Sequence, residues 1–331
     1  MAPVQHCTAV VLNWNGWRDT LACVLSLLRA EPAPGRIVVC DNGSADDSLP
    51  QLQAALRTAL GDAPGAGLRC TDRVGADHTD VRAARLWLVA NGANLGYAGG
   101  NNVGLRLALR DPACSHVWIL NNDTEVAPDA LARALAHMAA RPEIGLCGST
   151  LVYAHDRQTV QAWGGSAYAR WTGRTHHLGA QGRLADVPVD PAAVEARMAC
   201  VVGAAMLVRR EWIEAVGPMT EDYFLYFEEI DWAARAAGRF RLGWAPGSTV
   251  FHKEGASIGT AAGGGSPLSL YFLFRNRLRF SWRFHRPFVV SVLAFTLWDV
   301  FKIAARARWP QALAALSGAL QLARPPAAGR T

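Results

Sequence analysis

Two short stretches hold the residue types needed to move a group off an activated phosphate. Trp118–Glu125 (WILNNDTE) ends an apolar run in Asn121, Asn122 and Asp123. Mg²⁺ or Mn²⁺ on a nucleotide needs only one or two protein carboxylates, because phosphate oxygens and waters complete its shell. Asp123 is placed for that task, with helix capping as its plainer alternative. About a hundred residues later, Tyr223–Trp232 (YFLYFEEIDW) sets Glu228 and Glu229 in the first turn of a helix-period segment. Neighbouring carboxylates raise the pKa of one of the pair, which suits a general base. Glu229 is the chosen base, with Glu228 and Asp231 as the other candidates. Asp231 also stands four residues before Arg235, the spacing of a helical ion pair. His252 closes the last apolar strand of the body, just after the carboxylate helix, which singles it out although a lone histidine is more often a satisfied polar residue than a ligand.

These residues need a frame, and the apolar pattern supplies one. Strand-type runs at 6–12, 36–40, 86–90 and 116–120 each end in polar or glycine-rich turns. Helix-period segments follow at 17–29, 46–60, 103–110 and 128–141. Four such β–turn–α units predict a doubly wound, mostly parallel α/β sheet with ligands outside the carboxyl ends of its strands. Residues 61–85 read as a long solvated loop. After residue 145 come longer strand runs at 145–153, 198–209 and 240–244, which predict a mixed acceptor-side lobe. The expected division is 1–145 for a nucleotide half, 146–264 for an acceptor and base half, and 265–331 for a helical tail reached through a Gly/Ala/Ser linker, Gly255–Ser266.

Other polar positions fit a nucleotide. Asp41, at the end of the second strand, can accept a base N–H or a ribose hydroxyl, and equally suits an Asx turn. The run Asn94–Asn102 (NLGYAGGNN) places Gly96, Gly99 and Gly100 ahead of the predicted helix, where backbone N–H groups could face a diphosphate. Its spacing is neither a dinucleotide fingerprint nor a Walker loop.

Bulk properties narrow the classes. With 51% hydrophobic and 18% charged residues, the 331-residue chain has ample material for a core. Its net charge is +6, but residues from 265 onward carry ten Lys/Arg against Asp299 alone, which leaves −3 on the body. The basicity belongs to the tail and gives no reason to expect nucleic acid. Seven single cysteines form no metal-spacing pair and read as buried apolar residues in a reducing compartment. The N-terminus shows no secretory signal pattern, so a cytosol-facing protein is expected.

The ordered set Val10–Gly16 (VVLNWNG), Val39–Ser44 (VCDNGS), Asn94–Asn102, Leu120–Glu125 and Phe227–Trp232 resembles the family 2 glycosyltransferases of the GT-A fold, nearest their bacterial rhamnosyltransferase-like and galactofuranosyltransferase-like branch. Gly203–Arg210, His252–Gly255 and Tyr271 with Arg275-Asn276 match the same branch, and the likeness spans roughly residues 6–280. It implies inverting, metal-dependent transfer from a dTDP- or UDP-linked sugar, rhamnose in the nearest branch, to a saccharide or lipid-linked saccharide. Asn13, Asn15 and Asp41 would then hold base and ribose, with Asn94, Gly96, Gly99, Gly100, Asn101, Asn102 and Asn122 beside ribose and diphosphate. Asp123 would be the last residue of the family's Asp-x-Asp signature, His252 a further metal ligand and Glu229 the base. Two departures stand out: the signature reads Asn-Asn-Asp, and the base pair Glu-Glu replaces Glu-Asp. The first supports a catalytically inactive, saccharide-binding or scaffolding relative as the alternative. A sugar nucleotidyltransferase would carry a basic glycine-rich loop after the first strand, and a processive synthase a Gln-x-x-Arg-Trp motif; neither occurs.

In the tail, Arg275, Arg279, Arg283 and Arg286 form a basic stripe at helical spacing, followed by the uncharged run Phe288–Trp298. Its eleven residues fall short of the roughly 20 that span a bilayer. An interfacial helix on an anionic membrane accounts for aromatics and arginines together. Packing on the body or on a second subunit is the alternative.

Overall fold

The computed structural model describes residues 4–60, 67–77, 79–253 and 265–321; the expected linker lies outside them up to residue 264. Strand β1 (Val4–Asn13) feeds α1 (Trp17–Arg29), and β2 (Pro34–Asp41) feeds α2 (Ser48–Leu60). A short edge strand β3 (Leu68–Asp72) and one helical turn α3 (Arg73–Ala76) occupy what reads as loop in the sequence. Then come β4 (Leu86–Ala90), α4 (Gly96–Leu109), β5 (His116–Asn121), β6 (Thr124–Val126) and α5 (Ala130–Ala140). The second part holds β7 (Ile144–Tyr153), β8 (Val160–Trp163), β9 (Gly165–Ala169), β10 (Arg174–His177), α6 (Ala192–Glu195), β11 (Cys200–Val201) and β12 (Ala205–Arg209). It continues with α7 (Arg210–Val216), α8 (Glu228–Ala236) and β13 (Arg241–His252), and the tail forms α9 (Pro267–Phe284), α10 (Val289–Ala304) and α11 (Trp309–Leu320).

Among the described residues ten strands make one mixed sheet, in the order β3-β4-β2-β1-β5-β12-β7-β13-β6, with β8 alongside β7. The block β3-β4-β2-β1-β5 is parallel, and β12 enters antiparallel between β5 and β7. Side chains alternate across the sheet as strand geometry requires. Ala9, Val11, Trp118 and Leu120 pack on one face, while Val10, Val117 and Ile119 pack on the other. Each such buried side chain contributes about 1.5–3 kcal/mol. The strand order reverses between β1 and β5, so their carboxyl ends diverge into the crevice where doubly wound sheets bind ligands.

Helix α4 begins at Gly96, seven residues before the predicted start. The glycines of Asn94–Asn102 therefore lie within a buried helix. A Cβ on Gly100 would collide with Leu12, and one on Gly104 with Val10, so their absence lets α4 settle onto β1. That packing outweighs the roughly 1 kcal/mol that each glycine costs in a helix.

The tail helix α9 also departs from expectation. Arg275 donates to the Asp222 carbonyl at 2.6 Å, Arg279 to the same oxygen at 2.9 Å, and Arg283 to the Asp231 carboxylate at 2.7 Å. Three of the four arginines in the basic stripe thus hydrogen-bond to the body. In α10 the two charges that break the apolar run pair with each other: Asp299 binds Lys302 at 2.8 Å and Arg277 at 2.9 Å, and also Arg174. With the 3-10 turn Arg286–Phe288 that precedes it, α10 makes a helical segment of 19 residues, its best 18-residue window at mean hydropathy 1.6, long and apolar enough to cross a membrane by length and composition. Its apolar stripe, Val290, Leu297, Trp298 and Phe301, is exposed.

Candidate active site

A cavity of about 330 Å³ opens at the β1/β5 reversal. Its walls carry Asn121, Asn122 and Asp123 from the end of β5, His252 from the end of β13, and Glu228 and Glu229 from the start of α8. Trp14, Tyr97, Gln161, His177, Gly203 and Tyr226 complete the chemistry-bearing part of the lining.

Strand register brings Asp123 and His252 together. β6 starts immediately after Asp123 and pairs antiparallel with β13, setting His252 opposite Thr124. The Lys253 N–H then donates to the Asp123 carbonyl at 3.0 Å. His252 Nε2 lies 3.1 Å from Asp123 Oδ1, and its Nδ1 lies 2.8 Å from Gln161 Oε1. An amide oxygen only accepts, so Nδ1 carries the hydrogen. Nε2 then faces a carboxylate oxygen, an arrangement that needs a proton or a metal cation between them. Histidine ligands with their other nitrogen held in this way are a recurring feature of metal sites. The pair fits a divalent cation on a diphosphate, which requires few protein ligands. Among the described residues no group of three or more His, Cys, Asp or Glu side chains could hold a metal by itself.

The opposite wall is a strained turn. Phe224, Tyr226 and Phe227 all have positive φ, at 66°, 67° and 75°. For bulky residues such backbone costs on the order of 1–3 kcal/mol each and persists only where neighbours enforce it. The neighbours are identifiable. The Asn276 amide of α9 donates to the carbonyls of Tyr223 (2.8 Å), Leu225 (2.7 Å) and Tyr226 (3.1 Å). Phe272 stacks on Phe224 with ring centroids 4.7 Å apart. From α4, the Tyr97 N–H donates to the Phe224 carbonyl at 2.7 Å, and Gly96 lies so close that a Cβ would strike the same carbonyl.

The turn delivers two unlike carboxylates. Glu228 is buried, with Oε2 lacking a hydrogen-bond partner among the described residues. Burial, then the neighbouring Glu229 charge, pushes its pKa well above the usual carboxylate range. Glu229 is part-exposed in the cleft, and burial raises it to about 7. Both carboxyls of the pair therefore hold their protons to higher pH than a free glutamate does. Gly203 makes room for Glu229: a Cβ there would overlap its carboxylate.

The remaining predicted residues lie off the cavity wall. Asp41 is enclosed; its oxygens accept from Asn13 Nδ2 (2.7 Å), Ser44 Oγ (2.6 Å) and the Ser44 N–H (3.1 Å). Asn13 accepts from Thr20, to which Asn122 donates at 3.2 Å, so this network backs the cavity. Asn15 is exposed and caps the Ala45 N–H. Asn94 bonds Asn42 and the Gly96 N–H. The Gly99, Gly100, Asn101 and Asn102 positions are buried in α4; Asn102 grips Met219 through both its N–H and carbonyl, and Asn101 donates to the Tyr97 carbonyl. Asp231 lies behind the cavity wall. It is fully buried and its oxygens receive Thr220, Tyr223, Arg235 and Arg283, which leaves no lone pair directed at the cleft.

Sequence reasoning missed Gln161, His177 and the pocket role of Tyr97. Tyr97 stood inside a noted motif; Gln161 lies mid-strand in β8 with no local signal.

No family model matches the chain. Agl10 of Haloferax volcanii, a low-salt glycan biosynthesis hexosyltransferase, is 25% identical over 158 residues, 45% of this chain and 45% of that protein. The chain thus matches less than half the length of that relative. Among solved structures, the mannosyltransferase PcManGT from Pyrobaculum calidifontis, in complex with GDP-Man and Mn²⁺, superposes with a TM-score of 0.55 at 16% identity, covering 96% of this chain and 76% of that one. GalNAc-T7 with UDP, GalNAc and Mn²⁺ gives 0.57 at 15% identity over 83% of this chain and 48% of that one. S. aureus TarS 1-349 with UDP-GlcNAc gives 0.52 at 11% identity over 95% of this chain and 90% of that one. At these identities the likeness establishes the fold: a GT-A-like, mixed α/β glycosyltransferase fold with a large, mostly parallel sheet and C-terminal helices.

Proposed function

We propose that the chain is an inverting, metal-dependent hexosyltransferase that moves a sugar from a nucleoside-diphosphate sugar to a saccharide or lipid-linked saccharide in cell-surface polysaccharide assembly. The observation that carries this reading is the meeting, in one cavity, of the Asp123–His252 pair and a carboxylate, Glu229, poised near 7. The sequence resemblance points to a dTDP- or UDP-linked donor, with rhamnose as the sugar of the nearest branch. The neighbours bound to GDP-Man, UDP and UDP-GlcNAc support a nucleotide-sugar ligand in the same fold.

In this reading residues 1–145 hold the nucleotide and 146–264 supply the acceptor side. Asp123 and His252 would hold Mg²⁺ or Mn²⁺, whose charge, when bound, would offset that on the departing diphosphate. Glu229 takes the acceptor hydroxyl proton as the hydroxyl oxygen bonds to the anomeric carbon and the carbon–oxygen bond to diphosphate breaks. One displacement inverts the centre and needs no covalent nucleophile. The Asn13–Asp41–Ser44 network fixes the strand ends against which the base and ribose lie. The exposed stripe of α10, with Trp309 and Leu313 of α11, rests on the cytosolic surface of the membrane, near lipid-linked acceptors.

The test is transfer from dTDP-rhamnose and a panel of UDP-sugars with Mn²⁺, Mg²⁺ or EDTA, using wild type and Glu229→Gln. Metal-dependent turnover lost in the variant supports the reading. A folded protein inert toward every donor, and bound by none, supports the scaffold alternative.

A further inference from the structure

A second cavity, of about 250 Å³, lies between α9 and α10, lined by Phe274, Arg277, Asp299, Lys302, Ile303 and Arg306. Its position in the tail separates it from the sugar-transfer cleft. Arg277 forms the innermost cationic wall. Its side chain is only 7% exposed, its guanidinium lies over the Phe274 ring at 4.9 Å, and one of its terminal nitrogens is committed to Asp299. Its Nε–H, however, has no hydrogen-bond partner among the described residues. A buried N–H on a charged group that lacks a partner is unfavourable, and a nearby anion would offset part of that cost through its charge while the N–H itself stays sealed behind the wall.

The charge balance agrees. Asp299 is the one carboxylate on the wall, and it is already held by Arg174 from outside as well as by Arg277 and Lys302. Arg277, Lys302 and Arg306 leave the lining two positive charges in excess. Arg306 is exposed and has no side-chain ion pair among the described residues, so it is available to a ligand. Asp299, Lys302, Ile303 and Arg306 share one helix face at i, i+3, i+4 and i+7. The exposed Trp298 and Phe301 lie on the adjoining face of the same helix.

We infer that this pocket binds a phosphate group. A phosphate monoester matches the surplus charge, and its tetrahedral oxygens suit donors converging from an Arg fork and a Lys. The group can be presented by a lipid headgroup, given the apolar face beside it, or by soluble phosphate. The lipid source rests on the membrane reading above; the phosphate site itself does not.

The experiment uses the full chain in two arms. Calorimetric titration with inorganic phosphate and glycerol 3-phosphate reads the site in solution. Sedimentation with phosphatidylcholine vesicles, with and without 20% phosphatidic acid, reads the lipid source. Each arm compares wild type with Lys302→Gln/Arg306→Gln and with Arg170→Gln/Arg286→Gln, a control of equal charge loss outside the pocket, all checked for unchanged melting. The expected result is saturable binding, or retention specific to phosphatidic acid, weakened at least tenfold in the pocket variant and less than twofold in the control. Soluble binding without vesicle preference keeps the site and assigns its source to solution. Retention on neutral vesicles without any phosphate effect keeps the membrane reading and overturns the site. Equal losses in both variants, or no saturable binding in either arm, also overturn it.

Discussion

On the proposed metal side of the cleft, Asp123 and His252 sit at the ends of regular strands, and the β6–β13 register brings them together, 3.1 Å apart. On the proposed base side, Glu228 and Glu229 follow three bulky residues in left-handed backbone, held from outside by Asn276, Phe272 and Tyr97. The first wall is built into the sheet. The second depends on elements from distant parts of the chain, α4 and the tail helix α9. A tail read as a membrane element thus has one helix that serves as a buttress for the carboxylates and two that present an apolar surface.

That contrast can be broken at its chemical end first. Glu229→Gln keeps the shape of the base wall but removes the proton acceptor, and turnover is expected to fall by about 10²–10⁴-fold. Nucleotide-dependent thermal shifts should survive. Next, Asn276→Ala attacks the buttress without touching the cleft. Its two amide hydrogens serve three carbonyls, so the loss is about 2–3 kcal/mol of stability, read by urea unfolding. The catalytic rate is expected to fall at least tenfold while nucleotide affinity holds. Asn276→Asp should not rescue, because a carboxylate would face those carbonyls. On the metal side, Gln161→Met removes the acceptor that orients His252, and Mn²⁺ affinity in the presence of nucleotide should drop about 10–100-fold. Fold stability should change little, which would separate the two walls cleanly.

The smallest expected effect is on pH dependence. Transfer should rise with pH through about 7 as Glu229 loses its proton. Stability runs the other way. The folded protein raises the pKa of Glu228 and Glu229 above their unfolded value near 4.5, so the native state binds more protons between those limits. The contribution is fully present below the unfolded pKa and is lost as pH climbs through the folded one. Glu228→Gln should flatten that decline in a melting-temperature profile from pH 5 to 8.

Much of the parallel half was legible because β-strands buried on both faces write continuous apolar runs. The 17–29 helix and the 86–90 strand have the bounds the pattern predicts. Strand β3 was hidden because an edge strand is short, polar and part-exposed. The glycine run of 94–102 misled for a physical reason. Glycines that disfavour an isolated helix are what allow a buried one to approach Leu12 and the Phe224 carbonyl. In the site, carboxylate positions could be read from their place after strands or at a helix start. The burial of Asp231 and the body contacts of Arg275, Arg279 and Arg283 could not, since helical spacing gives a face but not what covers it.

The most direct test of the cleft is donor cleavage by wild type with Mn²⁺, with EDTA, and by Glu229→Gln with Mn²⁺, alongside melting curves in UDP and dTDP. Sugar transfer from a dTDP- or UDP-linked donor that requires Mn²⁺ or Mg²⁺, and a Glu229→Gln protein that still binds nucleotide without turning it over, is the predicted outcome. Wild-type turnover in Glu229→Gln, or transfer indifferent to metal, would contradict the assignment of these two walls.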